Sequence, residues 1–389
     1  MRALVVLVSL ALVGCPTRRD DQSPPSKTTE APPPKVEPEP AADDDGKHLV
    51  VFADRTSQGY VLLLRGRTSE APSRADLQAL VRRELPAGTD APEVELLVQL
   101  IAMEPVVDAR EGERKGERKG PSDLLGFHVE VVGDLDLAKV VAPDALTDPV
   151  LVRELSDKER GSLAERRHAL LLRADYRNQH AVRGLRLLQT LVRLVAKDRD
   201  ALVHDPDTGE TMGVETFTRR RLQAGLGNIA DQVAIVPFAD RLHGEPFVRL
   251  TTRGMRRFGS FDLELDGLPR DPAVLQQATF LLHGLALQMV RQGEVDSSGF
   301  AVELDEEIEV THADVVQAYA RQQGAVPACA DCPGRVDLHL VEREAEPHDP
   351  QHHLVVRVVA PRAKSDPRDY DHPAWVRTAI TKLLGPPAG

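Results

Sequence analysis

The sequence predicts an α+β body with antiparallel or mixed sheets and helices packed on one face. Three observations point there. Short β-rich runs come in twos and threes between single helices, instead of the strict alternation of a parallel fold. Ala181, Leu185, Leu188, Val192 and Val195 recur at spacings of four, three, four and three, one face of a helix. Val336, Leu338 and Leu340 alternate with Asp337 and His339, the period of a half-buried strand.

Taken in order, His48 to Ala53 and Tyr60 to Arg65 predict a pair of strands parted by polar residues and Gly59. Ser73 with Asp76 forms a capping box for a helix over Leu77, Leu80 and Val81, which Pro86 stops. The apolar run Leu96 to Ile101 suits a helix or a buried strand, and a strand over Glu93 to Met103 is the expectation. The tandem Gly-Glu-Arg-Lys units of 112–120 have no apolar side chain to bury and read as a loop. Phe127, Val129 and Val131 alternate as a strand, completing a first α/β module over 48–156; an α+β domain is expected over 157–389.

That domain opens with a strand, His168 to Tyr176, and a helix capped by Asn178. Leu62-Leu63-Leu64-Arg65 and Leu170-Leu171-Leu172-Arg173 match, which raises two related βα modules as an organisation. Strands are expected at 201–204, 233–238, 247–252 and 261–266. Asp271-Pro272 then starts a helix using Val274, Ala278, Leu281, Leu282, Leu285 and Met289, closed by Gly293. A strand over 300–304 precedes a helix capped by Thr311 and Asp314 over Val315, Val316 and Tyr319, ending at Gly324. His353 to Ala360 is the hairpin partner of 336–340, and Pro373 starts a last helix through Val376, Ile380 and Leu383.

Ahead of this body, Arg2 precedes an apolar run, Ala3 to Val13, with Gly14 before Cys15: a leader too short for a membrane span. Leu12-Val13-Gly14-Cys15 resembles the lipobox of bacterial lipoproteins. The resemblance implies a signal peptide over 1–14, lipid attachment at Cys15 and an extracytoplasmic protein anchored to a bacterial membrane, the outer membrane on its periplasmic or surface side being the expected place. Residues 15–47, with Pro32-Pro33-Pro34 and Asp43-Asp44-Asp45, lack the apolar surface to offset ordering entropy and read as a disordered tether. No later apolar run reads as a span, so the expected membrane contact is lipidated Cys15. A net charge of -12 over 389 residues repels phosphate backbones, which excludes nucleic acid as a partner. With aromatics at 4%, carbohydrate stacking is disfavoured.

Gly225-Leu-Gly227-Asn-Ile-Ala230 has dinucleotide spacing, but its helix precedes and its strand follows, the reverse of the order pyrophosphate binding needs. Asp205-Pro-Asp207-Thr-Gly209-Glu210 opens like a calcium loop, yet Thr216 holds the twelfth position, so a turn is expected. Lone His283 reads as a satisfied or half-exposed residue. Asp262, Glu264 and Asp266 share one strand face, a candidate interaction face for a cation, a proton transfer or a basic partner; the plainer expectation is a solvated face balanced by Arg253, Arg256 and Arg257. Residues 252–264, with Gly254 and Gly259 between two strands, resemble a strand-turn-strand signature of uncharacterised bacterial domains of unknown function.

Cys329-x-x-Cys332 followed by His348 and His352 has zinc-site spacing, but the hairpin puts the two pairs at opposite ends of a strand, on the order of 20 Å apart. A Cys329–Cys332 disulfide is therefore expected, with free thiols and zinc as the competing readings. No catalytic, cofactor or metal residue passes its context test. The function expected is a tethered, non-catalytic binding module with an envelope protein partner. The alternative is a hydrolase-type enzyme whose site gathers distant Asp, Glu and His residues.

Overall fold

The computed structural model describes residues 47–51, 55–66, 70–85, 91–103, 125–222, 228–292, 294–295, 301–305, 307–322, 324–329, 332–346, 349, 353–361 and 370–386. The leader, residues 15–46 of the expected tether, the 112–120 repeat, Gly225, Gly227, His348 and His352 lie outside them; Lys47, expected in the tether, is the first residue of a strand.

Strands β1 (Lys47–Val51) and β2 (Arg55–Leu64) open the body, followed by helices α1 (Arg74–Glu84) and α2 (Ala91–Ala102). At α1 the Ser73 hydroxyl accepts from the Asp76 N–H while the Asp76 carboxylate accepts from the Ser73 N–H, and Leu77, Leu80 and Val81 are buried. The strand expected over 93–103 is instead α2. Pro92, Glu95, Gln99 and Ala102 are exposed and Leu97, Val98, Leu100 and Ile101 are buried, a period that only a helix gives.

Next come β3 (His128–Asp136), β4 (His168–Arg177), α3 (Ala181–Asp198), β5 (Leu202–His204), β6 (Thr211–Met212) and α4 (Val214–Arg221). One antiparallel sheet runs β3-β4-β2-β5-β6. Because β3 pairs with β4, this sheet crosses the expected border at 156/157, and the matched tetrapeptides lie on neighbouring strands, Leu62 opposite Leu170. Tyr60, Leu62 and Leu64 face the main core with α3, while Val61 and Leu63 face a second cluster with Leu137, Val141, Val152 and Leu155. This sheet is therefore covered on both faces, which is why β2 reads as an unbroken apolar run. Asn178 is not the helix cap. It sits in a 3-10 turn before α3, and its side-chain oxygen accepts from Thr56 Oγ1 at 2.9 Å, tying the turn to β2. Gly184 is required where α3 crosses β4, since a Cβ there would lie 2.5 Å from the Tyr176 ring.

The second half supplies β7 (Ala234–Ala239), β8 (Phe247–Arg253), β9 (Asp262–Pro269), α5 (Pro272–Gln292), β10 (Glu294–Val295), β11 (Ala301–Asp305), β12 (Ile308–Thr311), α6 (His312–Ala318), β13 (Arg335–Glu342), β14 (Val355–Val359) and α7 (His372–Leu384). The second sheet runs β12-β13-β14-β9-β8-β7, with β14 parallel to β9 and the remaining neighbours antiparallel. The strands expected as a first pair separate: β1 joins a small sheet with β11 and β10, whereas β2 lies in the first sheet. Gly254 (φ 105°) and Gly259 (φ 66°) take the left-handed conformations that the connection from β8 to β9 demands.

Asp271 caps α5 through the Ala273 N–H at 2.8 Å. By length and mean hydropathy Pro272–Arg291 would suffice for a membrane span, contrary to expectation, but it is largely buried, with Leu281, Leu282 and Leu285 wholly enclosed. It packs against Leu263 and Leu265 of β9, Val315 of α6, and Val376, Ile380 and Leu383 of α7. Val316, expected in that core, is exposed.

Where the two sheets meet lies a wholly buried ion cluster. Asp205, after β5, is bound by Arg257 at 2.9 and 3.0 Å and by Arg221 of α4 at 3.2 Å. Burial alone would push the Asp205 carboxyl up, but the two guanidinium groups hold it well below its usual range. Glu210 bonds Arg221 at 2.9 Å, and the Arg257 carbonyl accepts from the Tyr176 hydroxyl at 2.9 Å. Removing one partner from such a cluster leaves a buried charge uncompensated. Asp205→Asn should therefore lower the unfolding free energy by about 3–5 kcal/mol, read as an earlier midpoint in urea.

Candidate functional site

The alternation Asp262-Leu263-Glu264-Leu265-Asp266 puts its leucines against α5 and its carboxylates on the opposite face, as the sequence indicates. That face is not solvated. All three acids are about 1% exposed: residues 343–346 and 349, between β13 and β14, form a strap that covers Glu264 through Arg343, while Thr252 and His353 cover Asp262 and Arg357 and His372 cover Asp266. Nor do Arg253, Arg256 and Arg257 together balance them. Arg253 stands 4.0 Å from Asp262, but Arg256 pairs with Asp207 and Arg257 with Asp205.

The partners come from neighbouring strands and the strap. Thr251 on β8 lies opposite Glu264, and Arg357 on β14 lies beside it in parallel register, so one face collects charges from three strands. Glu264 accepts from Arg343 at 3.0 Å, Thr251 at 3.1 Å and Arg249 at 3.3 Å. Asp262 accepts from Thr252 Oγ1 at 2.8 Å and faces His353 at 3.1 Å. Asp266 meets Arg357 at 2.5 Å and His372 at 2.6 Å.

The strap is knotted by its own ions. Arg343 binds Asp349 at 2.7 and 2.9 Å, Asp349 also accepts from the Glu346 N–H, and Glu346 forms a two-toothed pair with Arg249. Arg249 and Arg253 lie over the Phe238 ring at 5.5 and 5.4 Å. Between strap, sheet and the 240–242 turn lies a cavity of about 290 Å³, walled by Arg249, Glu264, Asp266, Arg343, Glu346 and Arg357 among others.

Arg249, Arg343, Asp266 and Glu346 are held in their charged forms. Burial opposes ionisation at Arg249 and Arg343, but Glu346 and Asp349 respectively outweigh it and hold the guanidinium groups more firmly protonated. Burial likewise raises Asp266, yet His372 and Arg357 keep it below the carboxylate range; the Arg249 hydrogen bonds lower Glu346.

Beside the cavity, Asp240, His243 and Asp266 offer oxygen and nitrogen atoms within 4.8 Å of one another. The cluster explains itself without a cation. Asp240 Oδ1 accepts from the Leu242 and His243 N–H groups, Oδ2 accepts from the Gly267 N–H and meets the His243 ring, and Arg357 already neutralises Asp266. His243 stacks on His372, whose Nδ1 meets the Tyr370 hydroxyl at 2.6 Å.

The other sequence candidates lie apart from this face. Asp205 to Glu210 is a turn, as expected, with the Gly209 N–H donating to the Asp205 carbonyl, but its acids belong to the buried cluster. His283 is buried between the Val233 carbonyl (3.0 Å) and the Tyr319 hydroxyl (2.6 Å). Cys329 and Cys332 sit together, their Cα atoms 5.6 Å apart. The strap acids and Arg343 were missed, since a polar connection between hairpin strands carries no signal of burial. Arg221 left a trace: it stands one helical turn after Phe217, on the same buried face.

No protein-family model matches this chain, no curated protein matches it, and no solved structure matches it.

Glu264 serves two arginines, so Glu264→Gln should cost about 3–5 kcal/mol in urea unfolding; a loss within about 0.5 kcal/mol would mean a solvated face. Burial also pushes the His283 imidazole down to about 4. The unfolded imidazole titrates near 6.5, so between pH 6.5 and 4 the unfolded chain takes up a proton that the folded chain refuses, and stability falls as pH drops, by roughly 3 kcal/mol. Urea midpoints across that window should decline less steeply in His283→Gln than in the unaltered chain.

Proposed function

We propose that this chain is a bacterial lipoprotein, held by lipidated Cys15 on the extracytoplasmic side of a membrane, whose body is a non-catalytic binding module. Leader and lipobox-like residues support the location. The fixed-charge cavity beneath the strap carries the binding reading. Arg249, Arg343, Asp266 and Glu346 are each held in the ionised form, which suits recognition by standing charges and ill suits a group that must exchange a proton near neutral pH. The tether gives the body standoff from the membrane, within reach of an envelope protein. Cys329 and Cys332 form the disulfide that an oxidising compartment permits.

A hydrolase-type enzyme is the second reading, and the series Asp266, His372, Tyr370 beside the cavity favours it. Burial raises the Tyr370 hydroxyl, keeping it protonated and a poor nucleophile, so binding has the stronger support. Ester or amide turnover lost in a folded His372→Gln variant would replace the binding reading.

Crosslinking in intact cells should capture one envelope partner through residues around the strap. In the same cells Cys15→Ser should move the body from the membrane pellet to the soluble fraction, since each acyl CH₂ contributes only about 0.8 kcal/mol and no second anchor is expected. Retention in the pellet after a high-salt wash would refute the anchor.

A further inference from the structure

Resting on the binding reading, the inference concerns what the cavity takes. Arg249 and Arg343 share the single carboxylate of Glu264 on the cavity floor. Arg343 completes its neutralisation with Asp349 inside the strap. Arg249 completes its own with Glu346, at 2.8 Å from one guanidinium nitrogen and 2.5 Å from the other, the fork-to-carboxylate geometry by which arginine recognises free carboxylates.

These two partners of Arg249 differ in kind. The Glu264 side chain is 2% exposed and built into β9, whereas that of Glu346 is 22% exposed and stands on the strap at the cavity wall. The strap does not depend on the Glu346 carboxylate to hold its turn, because the Glu346 backbone N–H and Arg343 both bind Asp349. Arg241, 61% exposed at the rim, lies 3.9 Å from the same Glu346 oxygen. If Glu346 swings out, two arginines are left facing one vacated carboxylate position beside an open cavity.

We infer that the Glu346 side chain occupies the place of an external carboxylate, and that the cavity binds a small carboxylic acid anion which displaces it onto solvent. Arg249 grips the ligand carboxylate through its fork, and Arg241 closes on it from the rim. The exchange trades one anion for another, so Arg249 never loses its counter-charge and the desolvation penalty of a bare buried guanidinium never arises. A cavity of about 290 Å³ fits a short acid and not a peptide segment. Glu346 thereby acts as a tethered competitor, present at millimolar effective concentration, which sets a threshold below which the site stays closed.

Calorimetric titration of the full chain with succinate and, separately, with inorganic phosphate tests this. Succinate should bind the unaltered protein weakly and Glu346→Gln roughly tenfold more tightly, since the competitor is gone while the strap backbone is kept. Adding Arg241→Gln to that variant should weaken succinate several-fold; Arg241 lies at the rim and Glu346 on the cavity wall, and thermal melting confirms that each protein is folded. Equal succinate affinity with and without Glu346, or no heat from either folded protein at tens of millimolar, overturns the inference. Phosphate binding as tight as succinate, with the same response to Glu346→Gln, also overturns it, because the site would then read charge and not the planar carboxylate. Should Glu346→Gln fail to fold, Arg241→Gln alone must weaken succinate in the otherwise unaltered chain, and no change there overturns the inference. A captured envelope partner with no succinate binding would leave the tethered binding module standing, whereas succinate binding by a body that needs no anchor would do the reverse.

Discussion

Asp205 is the point on which the two halves of this molecule are fixed. Its carboxylate reaches Arg221 on the last turn of α4 and Arg257 in the link between β8 and β9, so one buried anion joins the end of the first sheet to the start of the second. Neither guanidinium has any exposed surface, and without Asp205 each would keep a single carboxylate, Glu210 for Arg221 and Asp207 for Arg257, against its desolvation. Geometry follows from this requirement. Arg257 can reach inward only because Gly254 and Gly259 turn the chain tightly on either side of it, and Tyr176 and Thr56 of the first sheet bond the carbonyls of that same turn. β9 therefore leaves the turn in a set direction, with its leucines toward α5 and its acids toward the strap.

The charged face of β9 repeats the same logic nearer the surface. Each acid meets guanidinium or imidazole groups from outside its own strand: Asp262 from β8 and the segment leading into β14, Glu264 from β8 and the strap, Asp266 from β14 and α7. The difference is access. Around Asp205 the ions close on one another completely, whereas around Glu264 and Asp266 they stand apart far enough to leave a cavity. One cluster fixes the fold and the other lines the candidate site.

Much of the fold was legible because its signals are local. Capping residues at Ser73, Asp271 and Thr311 mark helices that form there, and the alternation over 336–340 marks β13. Residues 93–103 were misread because five apolar residues among the six of 96–101 mask the period; the exposed pair Glu95 and Gln99, four apart, was the helical clue. The site was half legible. The stripe Asp262, Glu264, Asp266 shows in the sequence, but its burial depends on Arg343, Glu346 and Asp349, about 80 residues later, and no local pattern ties a polar connection to a distant strand face. Arg257 was assigned to the wrong acids for the same reason. Nearness in sequence suggested the β9 stripe, while the tight turn aims the side chain at Asp205.

The parallel pairing of β14 with β9 carries a consequence for how the molecule is made. These strands are neighbours in space, yet β9 is complete by Pro269 and β14 begins only at Val355. Until the later segment arrives, β9 has β8 on one side and an open hydrogen-bonding edge on the other, and Asp266 lacks Arg357 and His372. Loop-closure entropy makes such a join slow, and an unpaired strand edge is prone to pair with another chain. A nascent chain stalled before residue 355 would thus be a half-built sheet in which Asp266 lacks both of its basic partners, while Asp262 and Glu264 already have Arg253 and Arg249 of β8.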